Sequence, residues 1–170
     1  MTDATKNEPQ STTQEKQDTQ VKIPNFILVE SAIGIALMLA TKSKNHQFLF
    51  ASDFEWLILP PISLKQYKVF RSKKNEPIAF VTWARVSKDV EQRLLDGHIK
   101  LAPKDWKSGD KLVLIDVIAP FGGSKEILKQ LHDAEFKETT AHFLQRYADG
   151  KALVLKKLED VLAERASENN

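Results

Sequence analysis

The stretch LVLIDVIAPFGG, residues 112–123, decides the fold: one acid, Asp116, interrupts an apolar run that ends in a proline, a phenylalanine and two glycines. The following SKEILKQLHDAEF has apolar residues at helical spacing, so the pattern predicts a buried strand, a tight loop and the start of a helix. An acid inside a buried strand is costly without a partner. Asp116 is therefore either part of a site or a structural acid bonded by backbone amides or an arginine.

Composition places the chain among ordinary globular proteins. Its 170 residues, 42% hydrophobic and 28% charged, are enough for one domain with a sizeable core. The net charge of +2 gives no argument for nucleic acid as a partner. There is no cysteine, which excludes disulfides, thiol nucleophiles and cysteine metal sites and fits a cytoplasmic location.

The chain divides into three parts. Residues 1–23 are polar and lack the apolar centre of a signal peptide, so they are predicted to be a disordered N-terminal arm. Residues 24–156 form the folded domain, and residues 157–170 a C-terminal helix with a frayed tail. The first apolar segment, residues 26–40, carries Glu30 and is too short for a stable membrane span, so it is predicted to be a buried helix.

The predicted order of elements is α, β, β, α, β, α, β, β, which indicates a mixed sheet covered by helices. The first helix covers residues 27–41, and a second short helix is followed by an extended segment at Pro60 and Pro61, which are expected to stop any helix. The remaining elements are strands at 67–71 and 78–85, a helix capped by Ser87 through residue 95, a strand at 111–118, a helix at 124–134, and strands at 141–147 and 152–155 joined by Asp149–Gly150.

The chemical inventory is short. The histidines are His46, His98, His132 and His142; no two have the spacing of metal ligands, so no metal site is predicted. Serine-hydrolase, phosphate-loop and dinucleotide fingerprints are absent from the sequence. His46 is the best candidate base, because it lies in a polar turn beside an apolar segment and imidazole exchanges protons near neutral pH. The plain alternative is a surface histidine.

Six motifs carry a resemblance to a known family. They are SKNH (43–46), EWLILPPI (55–62), KQY (65–67), PIAFVTWA (77–84), DWKSGD (105–110) and IDVIAPFGG (115–123). In order and spacing the chain resembles the RTX toxin-activating lysine acyltransferases, well over about residues 32–123 and more loosely to Lys151. The resemblance implies an α/β (α+β), GNAT-like fold with a mixed, mostly antiparallel sheet flanked by helices.

The resemblance also implies a chemistry. The family's essential histidine and aspartate fall on His46 and Asp116, and a possible supporting serine falls on Ser43. The implied enzyme is a protein-lysine acyltransferase that moves a fatty acyl group from acyl–acyl carrier protein to the ε-amine of internal lysines of an RTX protoxin, often as a homodimer and with no bound cofactor. The alternatives are an acyl-CoA-dependent N-acyltransferase acting on a small amine and a non-catalytic adaptor that binds a secreted protein.

Two routes fit the implied reaction, and the sequence leaves both open. His46 either takes the proton of the attacking amine, with Asp116 steering the ring, or carries the acyl group itself. Gly122 and Gly123 either seat the phosphate of the carrier's prosthetic arm or simply let the strand turn into the helix.

A basic stretch accompanies these residues. Between positions 41 and 75, seven basic residues face only two acids, Asp53 and Glu55. Such a stretch is expected either to steer an acidic carrier protein or to be a solvated surface. The seven are Lys42, Lys44, Lys65, Lys68, Arg71, Lys73 and Lys74.

Overall fold

The computed structural model describes residues 25–137, 139–146 and 153–167. This part of the chain contains six α-helices and five strands. Two short helices lie between the first helix and the first strand, and a helix follows the last strand, where the sequence predicts one. The helices are α1 (Asn25–Lys42), α2 (Phe54–Leu57), α3 (Leu59–Ser63), α4 (Lys88–Leu95), α5 (Ser124–Leu131) and α6 (Leu158–Ser167). The strands are β1 (Tyr67–Arg71), β2 (Pro77–Val86), β3 (Lys111–Ile118), β4 (Ala141–Arg146) and β5 (Leu153–Lys157).

The five strands form one sheet in the order β1-β2-β3-β4-β5. Neighbouring strands are antiparallel except β3 and β4, which are parallel. This mixed, mostly antiparallel sheet with its helices confirms the predicted fold class. The parallel pairing extends only from Leu112↔Ala141 to Leu114↔Phe143, so in the described part of the chain β3 continues to Ile118 without a β4 partner.

Helix α1 packs on one face of the sheet. Its residues Ala36 and Leu39 are fully buried in a cluster with Ile58, Phe80 and Ile118, called here the α1-side core. Burying large aliphatic and aromatic side chains is the main stabilising contribution to such a layer. This packing places the C-terminal end of α1, and the turn that follows it, against the sheet at β3.

Helices α5 and α6 contribute to a second cluster, called here the α5-side core. Leu128 and Leu131 of α5 and Leu158 of α6 are buried with Leu112 and Leu114 of β3. A third, smaller cluster joins α4 to the start of β3; its fully buried members are Ala84, Leu94, Trp106 and Val113.

A β-bulge in β3 reverses the direction of its side chains before Asp116. Trp83 of β2 pairs with Leu114, whereas the preceding Thr82 pairs with Asp116, so Ile115 is one residue in excess. Leu114 and Val117 consequently both contact the α5-side core, although strict alternation would place them on opposite faces. A bulge re-aims the side chains beyond it, and here it turns Asp116 away from the α5-side core.

The motif DWKSGD is part of the framework. Asp105 is buried, forms an ion pair with Arg93 at 2.8 Å, and accepts the amide of Ala102 at 3.0 Å. Desolvation of Asp105 raises the pKa of its carboxyl, but the bonds from Arg93 and Ala102 outweigh it and hold this pKa below its ordinary value. Trp106 beside it is fully buried. The motif therefore stabilises the loop between α4 and β3.

The predicted boundaries are confirmed within one residue for β1, β2 and β3, and within two residues for α1. The predicted cap of α4 is also confirmed, since Ser87 Oγ accepts the amide of Val90 at 3.3 Å. The region after α5 continues as one π-helical turn, His132–Phe136, so the α-helix itself ends three residues earlier than predicted. The Asp149–Gly150 turn lies outside the described residues, but β4 and β5 form the antiparallel pair that it was expected to join.

One sequence expectation is wrong. Pro60 and Pro61 do not end a helix and begin an extended segment; they lie in the first turn of α3. Proline is tolerated there because the first amides of a helix have no partner within it and the fixed φ of proline is already helical.

None of the helices in residues 25–137, 139–146 and 153–167 combines the length and the apolar character that crossing a lipid bilayer requires.

Two glycines should respond in opposite ways to substitution by alanine. At Gly109 an added Cβ would lie 2.6 Å from the carbonyl oxygen of Val86, so Gly109→Ala should destabilise the fold by about 1–3 kcal/mol. At Gly34, inside α1, a Cβ would meet nothing within 4 Å, so Gly34→Ala should stabilise it by roughly 0.5–1 kcal/mol. Urea unfolding of both variants measures the difference; equal midpoints would contradict the packing described at Gly109.

Candidate active site

The turn after α1 places a serine against a histidine. The carbonyl of Ser43 accepts the amides of His46 at 3.1 Å and Gln47 at 2.9 Å, which closes a tight turn directly after Lys42. The same turn brings Ser43 Oγ to 2.7 Å from His46 Nδ1. The spacing of three residues in the SKNH motif is thus the spacing that this turn requires.

The other ring nitrogen of His46 reaches the sheet. Its Nε2 lies 2.9 Å from Asp116 Oδ1, joining residues 70 positions apart in the chain. The side chains of His46 and Asp116 are 14% and 16% exposed, so the pair is mostly shielded yet open to a reactant. The structure therefore brings together Ser43, His46 and Asp116, the three residues that the sequence analysis selected.

The hydrogen bonds assign the tautomer of the neutral ring. An ionised carboxylate only accepts hydrogen bonds, so Nε2 carries the proton that is donated to Asp116 Oδ1. The lone pair then lies on Nδ1, where it accepts the hydroxyl hydrogen of Ser43. The basic nitrogen of His46 is accordingly Nδ1, and Ser43 is in contact with it.

Asp116 is held by its own strand as well as by the ring. The amide of Val117 donates to Oδ1 at 2.8 Å. The second oxygen, Oδ2, is buried and has no hydrogen-bond partner in the part of the chain that the structure describes. Thr82, directly opposite on β2, is fully buried, and its hydroxyl is equally without a partner among these residues. Sequence reasoning missed Thr82; the one signal was a hydroxyl residue inside the apolar run AFVTWA.

The loop after β3 contains two glycines in the left-handed region, Gly122 at φ +81° and Gly123 at φ +71°. This left-handed conformation explains why glycine occupies both positions, because residues with a Cβ adopt it only at a cost in free energy. An added Cβ at Gly122 would meet nothing within 4 Å, so no close packing requires glycine there. Their role as a phosphate seat stays a prediction.

The remaining described histidines have other surroundings. His132 lies 3.3 Å from Asp133 and 3.6 Å from Glu159 at the junction of α5 and α6. Burial lowers the pKa of His142 in β4. No group of three or more histidine, aspartate or glutamate side chains within the described ranges is arranged to hold a metal ion.

Exposed apolar side chains and basic residues lie close in the chain to His46 and Asp116. Phe48 and Phe50 follow His46 closely and are 78% and 74% exposed, and Phe121 in the loop after Asp116 is 63% exposed. Among the basic residues of the 41–75 stretch, Lys68 is engaged with Glu135 at 2.7 Å.

On this mixed α+β scaffold, an imidazole lies shielded between a hydroxyl and a carboxylate. Such an arrangement is typical of an enzyme that transfers a group by acid–base chemistry. Comparison with known proteins narrows this class to acyltransferases. The chain belongs to the RTX toxin acyltransferase family, whose model matches residues 27–159.

Several characterised relatives are similar to the chain. The lysine-acyltransferase RtxC of Vibrio cholerae is 32% identical over 108 residues, which cover 64% of this chain and 71% of the relative. The protein-lysine myristoyltransferase RtxC of Kingella kingae is 36% identical over 59% of this chain and 60% of its own length. The protein-lysine myristoyltransferase HlyC of Escherichia coli is 34% identical over 58% of this chain and 56% of its own length. The protein is thus an acyltransferase.

Replacing Asp116 by asparagine should lower the rate of acyl transfer about 100-fold or more. The amide oxygen can still accept the Nε2 proton, but the charge that stabilises an imidazolium is lost and the opposite tautomer becomes available. Asp53→Asn is the matched control, because Asp53 bonds to Phe50 and Trp56 in the neighbouring turn. Single-turnover rates with melting temperatures measure the effect; an Asp116→Asn variant as fast as the control would exclude the role of the charge.

Proposed function

We propose that this chain transfers a fatty acyl group from acyl–acyl carrier protein to the ε-amine of lysines in an RTX protoxin, in the cytoplasm. The contact between His46 and Asp116 is the observation that carries the proposal. Support comes also from the relatives, which are named lysine acyltransferases, protein-lysine myristoyltransferases and, in Actinobacillus pleuropneumoniae, an RTX-I toxin-activating lysine-acyltransferase.

The nucleophile is the difficult reactant. A thioester is already activated, whereas a lysine amine has an ordinary pKa of about 10.4 and is protonated at neutral pH. In the proposed step an amine that has first released one proton to solvent attacks the thioester carbonyl through its nitrogen, and the carbon–sulfur bond breaks. The proton that leaves the nitrogen passes to His46 and then to the departing thiolate. Asp116 stabilises the positive ring while it holds this proton.

Ser43 is placed to take part in the proton transfer. Its hydroxyl is 2.7 Å from Nδ1 and occupies the lone pair of the basic nitrogen, so a proton would reach this nitrogen through the hydroxyl. We place Ser43 as a relay that gives its proton to Nδ1 while it takes one from the amine. The same contact opposes the acyl-histidine route, since Nδ1 has no free lone pair while Ser43 donates to it.

The surroundings supply docking surface for the two macromolecular substrates. Lys42 and Lys44, which flank Ser43, are exposed and would attract an acidic carrier protein, as would the exposed Lys65 after α3. The exposed phenylalanines, Phe48, Phe50 and Phe121, offer apolar area for an acyl chain.

The open edge of β3 adds a further contact. Beyond Leu114 its backbone has no β4 partner in the described residues, so the amide groups of a carrier's prosthetic arm could pair with it as an added strand does. We also propose a homodimer, because α1 leaves the large apolar side chains Leu28, Leu37 and Met38 exposed.

A reconstituted reaction tests the proposed function. The chain, acyl–acyl carrier protein and an RTX protoxin are incubated together, and the protoxin is digested and examined by mass spectrometry. We expect an acyl mass on internal lysines with wild type and none with His46→Ala, because the base is gone. Parallel reactions use acyl-CoA as the donor and a small amine as the acceptor. Acylation of the small amine from acyl-CoA, without acylation of the protoxin, would favour the alternative N-acyltransferase. Unmodified protoxin that nevertheless binds the chain would favour the adaptor.

Ser43→Ala distinguishes the two routes. With general-base transfer through the relay, the variant should be slower by at least about tenfold and should hold no acyl group. With an acyl-histidine intermediate, the variant should keep its rate, because Nδ1 becomes open. Incubation with the acyl donor alone, followed by intact-mass measurement, detects the intermediate. An acylated Ser43→Ala enzyme would overturn the general-base route.

A further inference from the structure

Two oxygen atoms next to the catalytic pair are buried without hydrogen bonds to any described residue. They are Oδ2 of Asp116 and Oγ1 of Thr82. A buried polar atom that has lost water and gained no partner is costly, and the cost is larger for a charged group. Two such atoms on neighbouring strands therefore indicate a hydrogen bond that forms between them once the two side chains rotate slightly.

The sheet register places the two residues that carry these atoms opposite each other. Thr82 and Asp116 are direct partners in the antiparallel pairing of β2 and β3. Partners of this kind have Cβ atoms about 4.5–5.5 Å apart on the same face of the sheet. The bulge at Ile115 creates this pairing, because a regular ladder continued from Trp83 and Leu114 would place Thr82 opposite Ile115.

The two groups are also chemically matched. An ionised carboxylate can only accept, whereas a hydroxyl can donate and changes direction by rotation about a single bond. Asp116 Oδ1 already accepts from His46 and from the amide of Val117. Oδ2 is the oxygen that still requires a donor, and Thr82 is fully buried beside it.

We propose that Thr82 is a positioning residue whose hydroxyl donates to Oδ2 of Asp116 and thereby fixes the carboxylate against His46. The inference rests on the proposed function, in which the ring becomes positively charged as it takes a proton. A carboxylate anchored at both oxygens keeps Oδ1 directed at Nε2 during that step. Thr82 acts through Asp116 and touches no reactant.

Thr82→Val and Thr82→Ser test the hydroxyl separately from the shape of the side chain. A hydrogen bond to a charged group corresponds to roughly a tenfold effect or more. Thr82→Val should therefore lower kcat about tenfold and leave KM for the acyl donor unchanged, while Thr82→Ser should recover most of kcat. The same change at the exposed Thr140, Thr140→Val, is the matched control and should leave kcat unchanged. Melting temperatures should show that Thr82→Val stays folded, since valine keeps the branched shape of threonine and the chain loses a single hydrogen bond.

Proton NMR of the His46 ring supplies a readout that needs no substrate. The hydrogen on Nε2, held by Asp116, should give a downfield resonance in wild type and in Thr82→Ser. In Thr82→Val it should move upfield or be lost to exchange. Failure of protoxin acylation by wild type would remove the proposed function, while this resonance would still decide the contact of Thr82 with Asp116. A resonance and a kcat unchanged in Thr82→Val, or losses equal in valine and serine variants, would overturn the proposal.

Discussion

The hydrogen bond between His46 Nε2 and Asp116 Oδ1 is the contact around which the site is arranged. It joins the turn after α1 to the middle of the sheet, and it gives a partner to an acid that would otherwise be isolated in a buried strand. The α1-side core fixes the distance, since Leu39 on α1 and Ile118 on β3 are buried in the same cluster. Packing and site chemistry therefore depend on the same placement of α1.

The second constraint is the bulge in β3. A regular strand would direct Asp116 to the same face as Leu112 and Leu114, into the α5-side core, where an unpaired carboxylate is strongly disfavoured. The extra residue, Ile115, reverses the alternation before Asp116 while Val117 still packs on the α5-side core. An irregularity in the backbone thus allows one strand to supply both a core face and a charged group to the opposite side.

The sequence was sufficient for features that depend on local pattern. The strand at Lys111–Ile118 and the capping Ser87 follow from periodicity and helix-start chemistry. His46 is a candidate because of its polar turn, and its pairing with Asp116 is implied by the family resemblance. Two features could not be predicted in this way. Pro60 and Pro61 begin α3 because proline is compatible with a first turn, and only tertiary packing decides whether a helix starts there. The residue pattern does not predict the bulge, because the residues before Asp116 in LVLID are apolar on both faces of the strand. Thr82 can be linked to Asp116 only once the strand register that results from the bulge is known.

The orientation of the imidazole also has a consequence for the chemistry. Because Nε2 is directed at Asp116, the nitrogen left to act as base is Nδ1, which faces the backbone of its own turn and the hydroxyl of Ser43. A bulky acyl group on Nδ1 would have to displace Ser43, a buried residue whose carbonyl also closes the turn through the amides of His46 and Gln47. A proton requires no such displacement. In the proposed mechanism, the geometry of the turn therefore favours proton transfer over acyl transfer at this histidine and gives a role to the serine three residues earlier.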